Sequence, residues 1–292
     1  MAAWDDARSD VRAMAESLAR DCPAVAAVLF YGSGLRSDDP SAILDLYVLV
    51  DSYRGFHRGA LVALAGRLLP PNVMFFPSNG PGNAGFKVAV ISKAAFAARL
   101  AAKSLDTTLW ARFCQPVQLA YARDAAMRQW VKDVLASAGA AAAHWAVRLG
   151  PDQGMSRDYW TALFAHTYAA ELRVEKAGRG VALYDFAPGH YDAFLPVPGL
   201  VVADGGYVRQ LRPFALRCGR LGWRLRRLTG KGLNVARLIK ALFTFADGVD
   251  YILWKLQRHS GQQIHLSPWQ RRHPLLAAPW VLAKLLRRGI VR

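Results

Sequence analysis

Acidic residues are scarce in this chain: 21 Asp and Glu stand against 38 Lys and Arg, giving a net charge of +17. Such a balance points to partners that carry phosphates, those of nucleic acid or of an anionic lipid surface. Cysteine is scarcer still. Cys22, Cys114 and Cys218 are scattered with no Cys-x-x-Cys spacing, which argues against a zinc site or a disulfide framework and suits a reducing compartment. Long uninterrupted apolar runs are also missing. The longest apolar stretch, Leu233 to Leu256, is broken by Arg237, Lys240, Asp247 and Asp250, whereas a spanning helix needs ~20 largely uncharged residues. The opening Met-Ala-Ala-Trp-Asp-Asp is acidic and polar, unlike a secretory signal or an Arg-rich transit peptide. The expectation is a bacterial cytoplasmic protein.

What is there is organised around residues 25–51. An apolar run from Val25 to Phe30 ends in Tyr31-Gly32-Ser33-Gly34, and a second run, Ile43 to Val50, carries one carboxylate, Asp45. Apolar runs bounded by Gly, Asp and Pro read as buried strands. A carboxylate inside one is costly unless it is paired or holds a metal. Gly32-Ser33-Gly34 could open a dinucleotide fingerprint with Asp51 as its acid, but that motif needs a crossover helix. The loop before Ile43 is too short for one and contains Pro40. Two readings survive. One is a tight turn beside a stray buried Asp45. The other is a nucleotidyltransferase signature, in which Gly32 and Ser33 cradle a triphosphate and Asp45 holds Mg²⁺. Position 47, where that signature places a second acid, is Tyr47.

A longer set of segments resembles the mitochondrial-type phosphatidate cytidylyltransferases, the translocator-assembly-and-maintenance family of peripheral CDP-diacylglycerol synthases. In order they are Phe30-Tyr31-Gly32-Ser33-Gly34, Leu44-Asp45-Leu46 with Val50-Asp51, Phe56-His57, Val73 to Phe76, Phe86-Lys87 to Ser92, Leu109 to Val117 with Arg112, and Thr167 to Arg173. The resemblance covers roughly residues 25–195, and it departs from the family at Tyr47, at Ala170 for Gly and at Glu171 for Asp. It implies transfer of CMP from CTP to phosphatidate, with Mg²⁺ as cofactor. It also implies Asp45 and Lys87 as catalytic groups and Gly32, Ser33, Gly34, Lys87 and Arg112 on the nucleotide. His57 and Arg173 would meet a substrate phosphate, and Asp45 and Asp51 the metal. Beside these roles stand plainer ones: Lys87 as a strand-end lysine in solvent, His57 as a surface or capping residue, Asp51 as a cap of the loop before His57.

The fold class expected is α/β (α+β): a nucleotidyltransferase core over 1–125, a mainly helical domain over 126–200, which the resemblance implies is winged-helix-like, and a basic amphipathic region over 201–292. Helices are expected over 4–21, 57–69, 93–103, 124–147 and from 156 onward. Strands are expected over 25–30, 43–50, 73–76, 86–91 and 117–121. Residues 201–292 hold eighteen Lys and Arg against three acids. Leu275 to Arg288, with Trp280 and paired leucines beside Lys284, Arg287 and Arg288, has the pattern of a helix lying in a membrane interface. A helix packed on the protein has the same periodicity. The reading is a phosphatidate cytidylyltransferase, peripheral on the inner face of the membrane, with CTP, phosphatidate and an anionic membrane surface as partners and no specific nucleic acid. The rivals are a nucleotidyltransferase acting on another phospholipid or a soluble acceptor, and a non-catalytic basic module that binds nucleic acid or membrane.

Overall fold

A computed structural model describes residues 4–36, 39, 42–77, 85–170, 178–203, 205–244, 267, 269 and 270. The chain is mixed α/β. Helix α1 (Ser9–Asp21) leads to strand β1 (Val25–Tyr31), a 3-10 turn over Ser33–Leu35 and strand β2 (Ile43–Val50). Then come α2 (Tyr53–Phe56), α3 (Ala60–Leu68), β3 (Asn72–Pro77), β4 (Gly85–Ser92), α4 (Lys93–Leu100), α5 (Thr107–Phe113), β5 (Gln118–Ala122) and the long α6 (Ala125–Leu149). Beyond it lie β6 (Gln153–Gly154), α7 (Ser156–Ala170), α8 (Arg179–Phe186), α9 (Pro188–Asp192), the strands β7 (Leu200–Ala203) and β8 (Gly206–Arg209), and α10 (Pro213–Thr244).

Five strands form one sheet in the order β3-β4-β2-β1-β5, and β6-β8-β7 form a second, small one. In the large sheet β2 and β4 run parallel, while β1–β2, β1–β5 and β3–β4 are antiparallel. Every residue of β1 is buried, so both of its faces are covered. Alternation along the strands separates those faces. Val28, Phe30, Leu44, Leu46, Val48, Val88 and Val90 pack with Val11, Ala15 and Leu18 of α1. Leu29, Tyr31, Tyr47, Leu49, Ala89 and Ile91 pack beneath α4, α5, α6 and α7.

Several expected boundaries move. The helix expected over 57–69 starts three residues later, as α3 at Ala60, because His57 takes an extended backbone (φ −98°, ψ 123°) and ends the preceding α2. A break at 125 has no counterpart, since one apolar cluster joins Leu29, Trp110, Leu135, Trp160 and Tyr191. A break at 200 falls at the start of the β7–β8 hairpin. The compact units are Met1–Val235 and Ala236–Arg292. The expected interfacial helix over 275–288 lies outside the described residues. No helix among the described residues is long and apolar enough to cross a membrane.

Candidate functional site

Strand β1 ends at Tyr31, and Gly32 turns the chain with φ +92°, a conformation that side chains rarely tolerate. A Cβ there would lie 3.1 Å from Asp45 Oδ2, so the carboxylate presses directly on the turn. Ser33 follows, exposed, as the first residue of the 3-10 turn, which closes with the Arg36 N–H donating to the Ser33 carbonyl at 2.9 Å. Gly34 is small for a different reason: a Cβ would meet Leu44 Cδ2 at 2.9 Å and Phe30 Cζ at 3.0 Å. It packs the turn onto the α1 side of the sheet.

Register aligns the next residues. Tyr31 is opposite Asp45 across β1–β2, Asp45 opposite Lys87 across β2–β4, and Lys87 opposite Phe75 across β4–β3. By alternation Tyr31, Asp45 and Lys87 share the face that carries α5. Lys87 Nζ donates to Asp45 Oδ1 at 3.2 Å, and both side chains are partly exposed. Arg112, on α5, places its guanidinium 5.5 Å from the Tyr31 ring centre. Helix α5 is set there by its buried Leu109, Trp110 and Phe113 and by the Asp106 carboxylate, which caps it by accepting from the Thr108 N–H.

Past Arg112 a concavity opens between α5 and α7. Thr108, Arg112, Gln115, Thr167 and Tyr168 line it, and its empty space, open mouth included, is about 300 Å³. Two arginines that sequence reasoning did not single out stand nearby. The Arg36 guanidinium lies 5.9 Å from the Phe186 ring centre, and that of Arg179 5.7 Å from the Tyr168 ring centre. Burial pulls Arg36 below the usual arginine range, and the like charge of Arg179 pulls the same way. Arg36 follows the Gly-Ser turn by three residues, a spacing that could have marked it. Arg179 carries no local signal.

Two expected site residues are not brought to the turn. Asp51 follows the far end of β2, six residues from Asp45 and so ~20 Å away along an extended strand. There it accepts from Arg123 at 2.6 Å and pairs with Lys93 at 2.5 Å, and these bonds, Arg123 first, hold its carboxyl below the ordinary range. His57 lies at that same far end, its Nε2 accepting from Asn72 Nδ2 at 2.9 Å, while Asn72 pairs with Val90. Neither can share a ligand with Asp45, so the expectation that Asp51 joins Asp45 on a metal and that His57 meets a substrate phosphate there is corrected. Arg173 lies outside the described residues.

A resident metal centre finds few donors. Among the described residues no group of three or more His, Cys, Asp or Glu could hold an ion. At the turn the carboxylate is Asp45, one oxygen of which already accepts from Lys87. That donor set fits Mg²⁺ bound chiefly by substrate phosphates, the usual manner of this ion, and does not fit an ion caged by protein alone.

No protein-family model matches the chain, and no curated protein matches it. Among solved structures, a nucleotidyltransferase-like protein from Exiguobacterium sibiricum 255-15 aligns over 96% of this chain and 91% of its own, with 9% identity and a TM-score of 0.29. That score is too low for the likeness to bear on fold or activity.

Proposed function

We propose that the chain is a nucleotidyltransferase that transfers CMP from CTP to phosphatidate at a membrane surface, yielding CDP-diacylglycerol and pyrophosphate. The observation that carries this reading is the Asp45 carboxylate held against Gly32, with Lys87 bound to its other oxygen. A positive-φ glycine, an exposed serine, a carboxylate and a lysine at one strand end are the parts that grip and neutralise a triphosphate. The segments that resemble the phosphatidate cytidylyltransferases supply the base and the acceptor.

Gly32 leaves the turn bare, so a phosphate can approach its backbone closely. Ser33 offers a hydroxyl at that point. Lys87 and Arg112 place positive charge on either side of Asp45 and draw off the negative charge that grows on the leaving pyrophosphate. The acceptor is already an anion and needs no general base. Its phosphate oxygen forms the new bond to the α-phosphorus, and the bond to the β-phosphate bridge oxygen breaks with its electron pair leaving on pyrophosphate. Mg²⁺, held by Asp45 and the nucleotide's own phosphates, would add further charge neutralisation.

Support for the membrane setting comes from α10. Phe214, Leu221, Leu225, Leu228 and Val235 are exposed at intervals of seven, four, three and seven, and Arg217, Arg220, Arg224 and Arg227 are exposed beside them. Those intervals place the apolar residues in one stripe with the arginines along its flank. This is the composition of a helix that lies in a lipid interface, where each basic residue adds about 1 kcal/mol on anionic lipid.

The test is pyrophosphate release from each of the four nucleoside triphosphates with Mg²⁺, with and without phosphatidate vesicles. Release from CTP that requires the vesicles supports the reading. Release without lipid, or from another nucleotide, keeps a nucleotidyltransferase and overturns the lipid assignment. No release under any condition overturns both.

A further inference from the structure

Within the Met1–Val235 unit α10 has an inner and an outer face. Gly219, Trp223, Arg226 and Gly230 are buried, at intervals of four, three and four. At about 3.6 residues per turn the exposed Leu221, Leu225 and Leu228 stand opposite them, with Arg217, Arg220, Arg224 and Arg227 along one border of that stripe. The other border leans on the loop between α4 and α5, residues 101–106. Arg226 donates to Ala102 O at 3.1 Å and to Ser104 O at 3.0 Å. Nearly one turn on, the Thr229 hydroxyl lies 3.4 Å from Leu105 O and 3.0 Å from Leu225 O. The loop therefore runs beside the helix at Leu225, and it carries its own leucine, Leu105, 42% exposed. Lys103, two residues earlier, is exposed as well. A single exposed leucine is ordinary, but Leu105 borders a row of three. Acids are scarce around this surface. No Asp or Glu occurs between residues 205 and 246, and Asp106 is buried, its carboxylate turned to Arg99 and to the Thr108 N–H.

We propose that the 101–106 loop and α10 form one two-element docking surface for an anionic lipid bilayer. Leu105, Leu221, Leu225 and Leu228 enter the acyl boundary, and Lys103 and the four arginines meet headgroup phosphates. The proposed reaction gives such a surface its use, while the surface itself rests on the exposed residues. Nucleic acid offers phosphates but no apolar phase to receive four leucines. A second copy of the chain would set its own arginine row near this one, which like charge opposes. The second element matters because a lone helix in an interface leaves its protein free to roll about the helix axis. A contact to one side removes that freedom. The loop also leads directly into α5. At ~1.5 Å per residue Arg112 lies within about 10 Å of the loop along that helix, beside Tyr31, the strand partner of Asp45. Docking through both elements therefore fixes which way the Gly32 turn faces and keeps it one short helix from the headgroups.

The test is flotation of the full chain, without nucleotide or Mg²⁺, on phosphatidylcholine vesicles with and without phosphatidylglycerol. Leu105→Glu and Leu225→Glu are compared with Ala136→Glu, which adds the same charge at an exposed position of α6. Melting curves verify that each variant is folded, and Leu105→Ser and Leu225→Ser replace a glutamate variant that is not. The wild type and Ala136→Glu are expected to bind the anionic vesicles alike, and less as salt rises. Each leucine variant should bind them at least about tenfold more weakly, the loss that follows when a leucine no longer leaves water. A wild type that does not bind anionic vesicles overturns the proposal. So does a Leu105 variant that binds as the wild type does while the Leu225 variant fails, since contact would then belong to the helix alone. Binding to duplex DNA as tight as to vesicles and unchanged in the leucine variants, or a dimer that Leu225→Glu dissociates, would assign the surface to another partner and overturn it too. Because neither CTP nor phosphatidate is present, vesicle binding by a protein that releases no pyrophosphate would sink the proposed reaction and leave the docking surface standing.

Discussion

Asp45 and Asp51 bracket one strand and do opposite things. Asp45 faces the Gly32 turn and shares its charge with one lysine. Asp51 is tied down by Lys93 and Arg123 at the other end, and with its side chain 40% exposed its pairs add at most about 1 kcal/mol. That contribution is present above the unfolded carboxylate value of ~3.9 and is lost as the pH falls through the lower folded value. His144 acts in a different window. Burial, helped by the charges of Arg148 and Arg226, lowers its pKa to about 4, and its Nδ1 accepts from Arg148 at 2.8 Å. The unfolded chain takes up a proton near pH ~6.5 that the folded chain refuses, so stability is full above that value and falls as the pH drops towards 4. A decline on the order of 2 kcal/mol across that interval is expected in urea titrations. His144→Gln, which keeps an acceptor but cannot titrate, should flatten it. An unchanged slope in that variant would remove His144 as the cause.

At the scale of elements, the part of α10 within the Met1–Val235 unit is held to the rest of that unit by a buried arginine. Arg226 donates from Nε to Ser104 O at 3.0 Å, from Nη2 to Ala102 O at 3.1 Å and from Nη1 to Gly222 O at 3.1 Å, with its guanidinium 4.2 Å from the Trp145 ring centre. Trp223 packs one turn earlier against Trp110 and Trp145. Arg226→Met leaves those carbonyls without a donor and should cost about 2–4 kcal/mol, read as a lower urea midpoint. Arg226→Lys should recover little, because one ammonium cannot reach carbonyls on two sides. A midpoint unchanged in Arg226→Met would show that the tryptophans suffice. These contacts also explain what could be read in advance. Strands β1, β2 and β4 were legible because they are apolar runs, broken only by Asp45 in β2 and Lys87 in β4, with turn-forming residues near their ends. Helix α5 was not, because six of its seven residues are buried and it has no polar face to set a period. The β7–β8 strands, four residues each and half exposed, gave no alternation to read.

For the whole molecule, the candidate site follows the same division. Gly32, Ser33 and Asp45 could be read together because one turn and one strand hold them; Lys87 was named only through the family resemblance, and its place beside Asp45 comes from the β2–β4 pairing. Asp51 looked close in sequence, but an eight-residue strand carries its two ends far apart. Arg36 reaches Phe186 and Arg179 reaches Tyr168 only through tertiary packing, which no local pattern encodes. Exposed positive charge in the Met1–Val235 unit includes a row along α10, Arg217, Arg220, Arg224 and Arg227. That row suits the proposed reaction between phosphates at an anionic surface.

The most direct test of that reaction is the initial rate of pyrophosphate release from CTP on phosphatidate vesicles, measured for Asp45→Asn beside Asp51→Asn. Asp45→Asn is expected to lose at least ~100-fold in rate with its melting temperature kept, while Asp51→Asn keeps the wild-type rate and melts slightly lower. Equal losses in the two variants, or an Asp45→Asn variant as fast as the wild type, would contradict a reaction centred on the Gly32 turn.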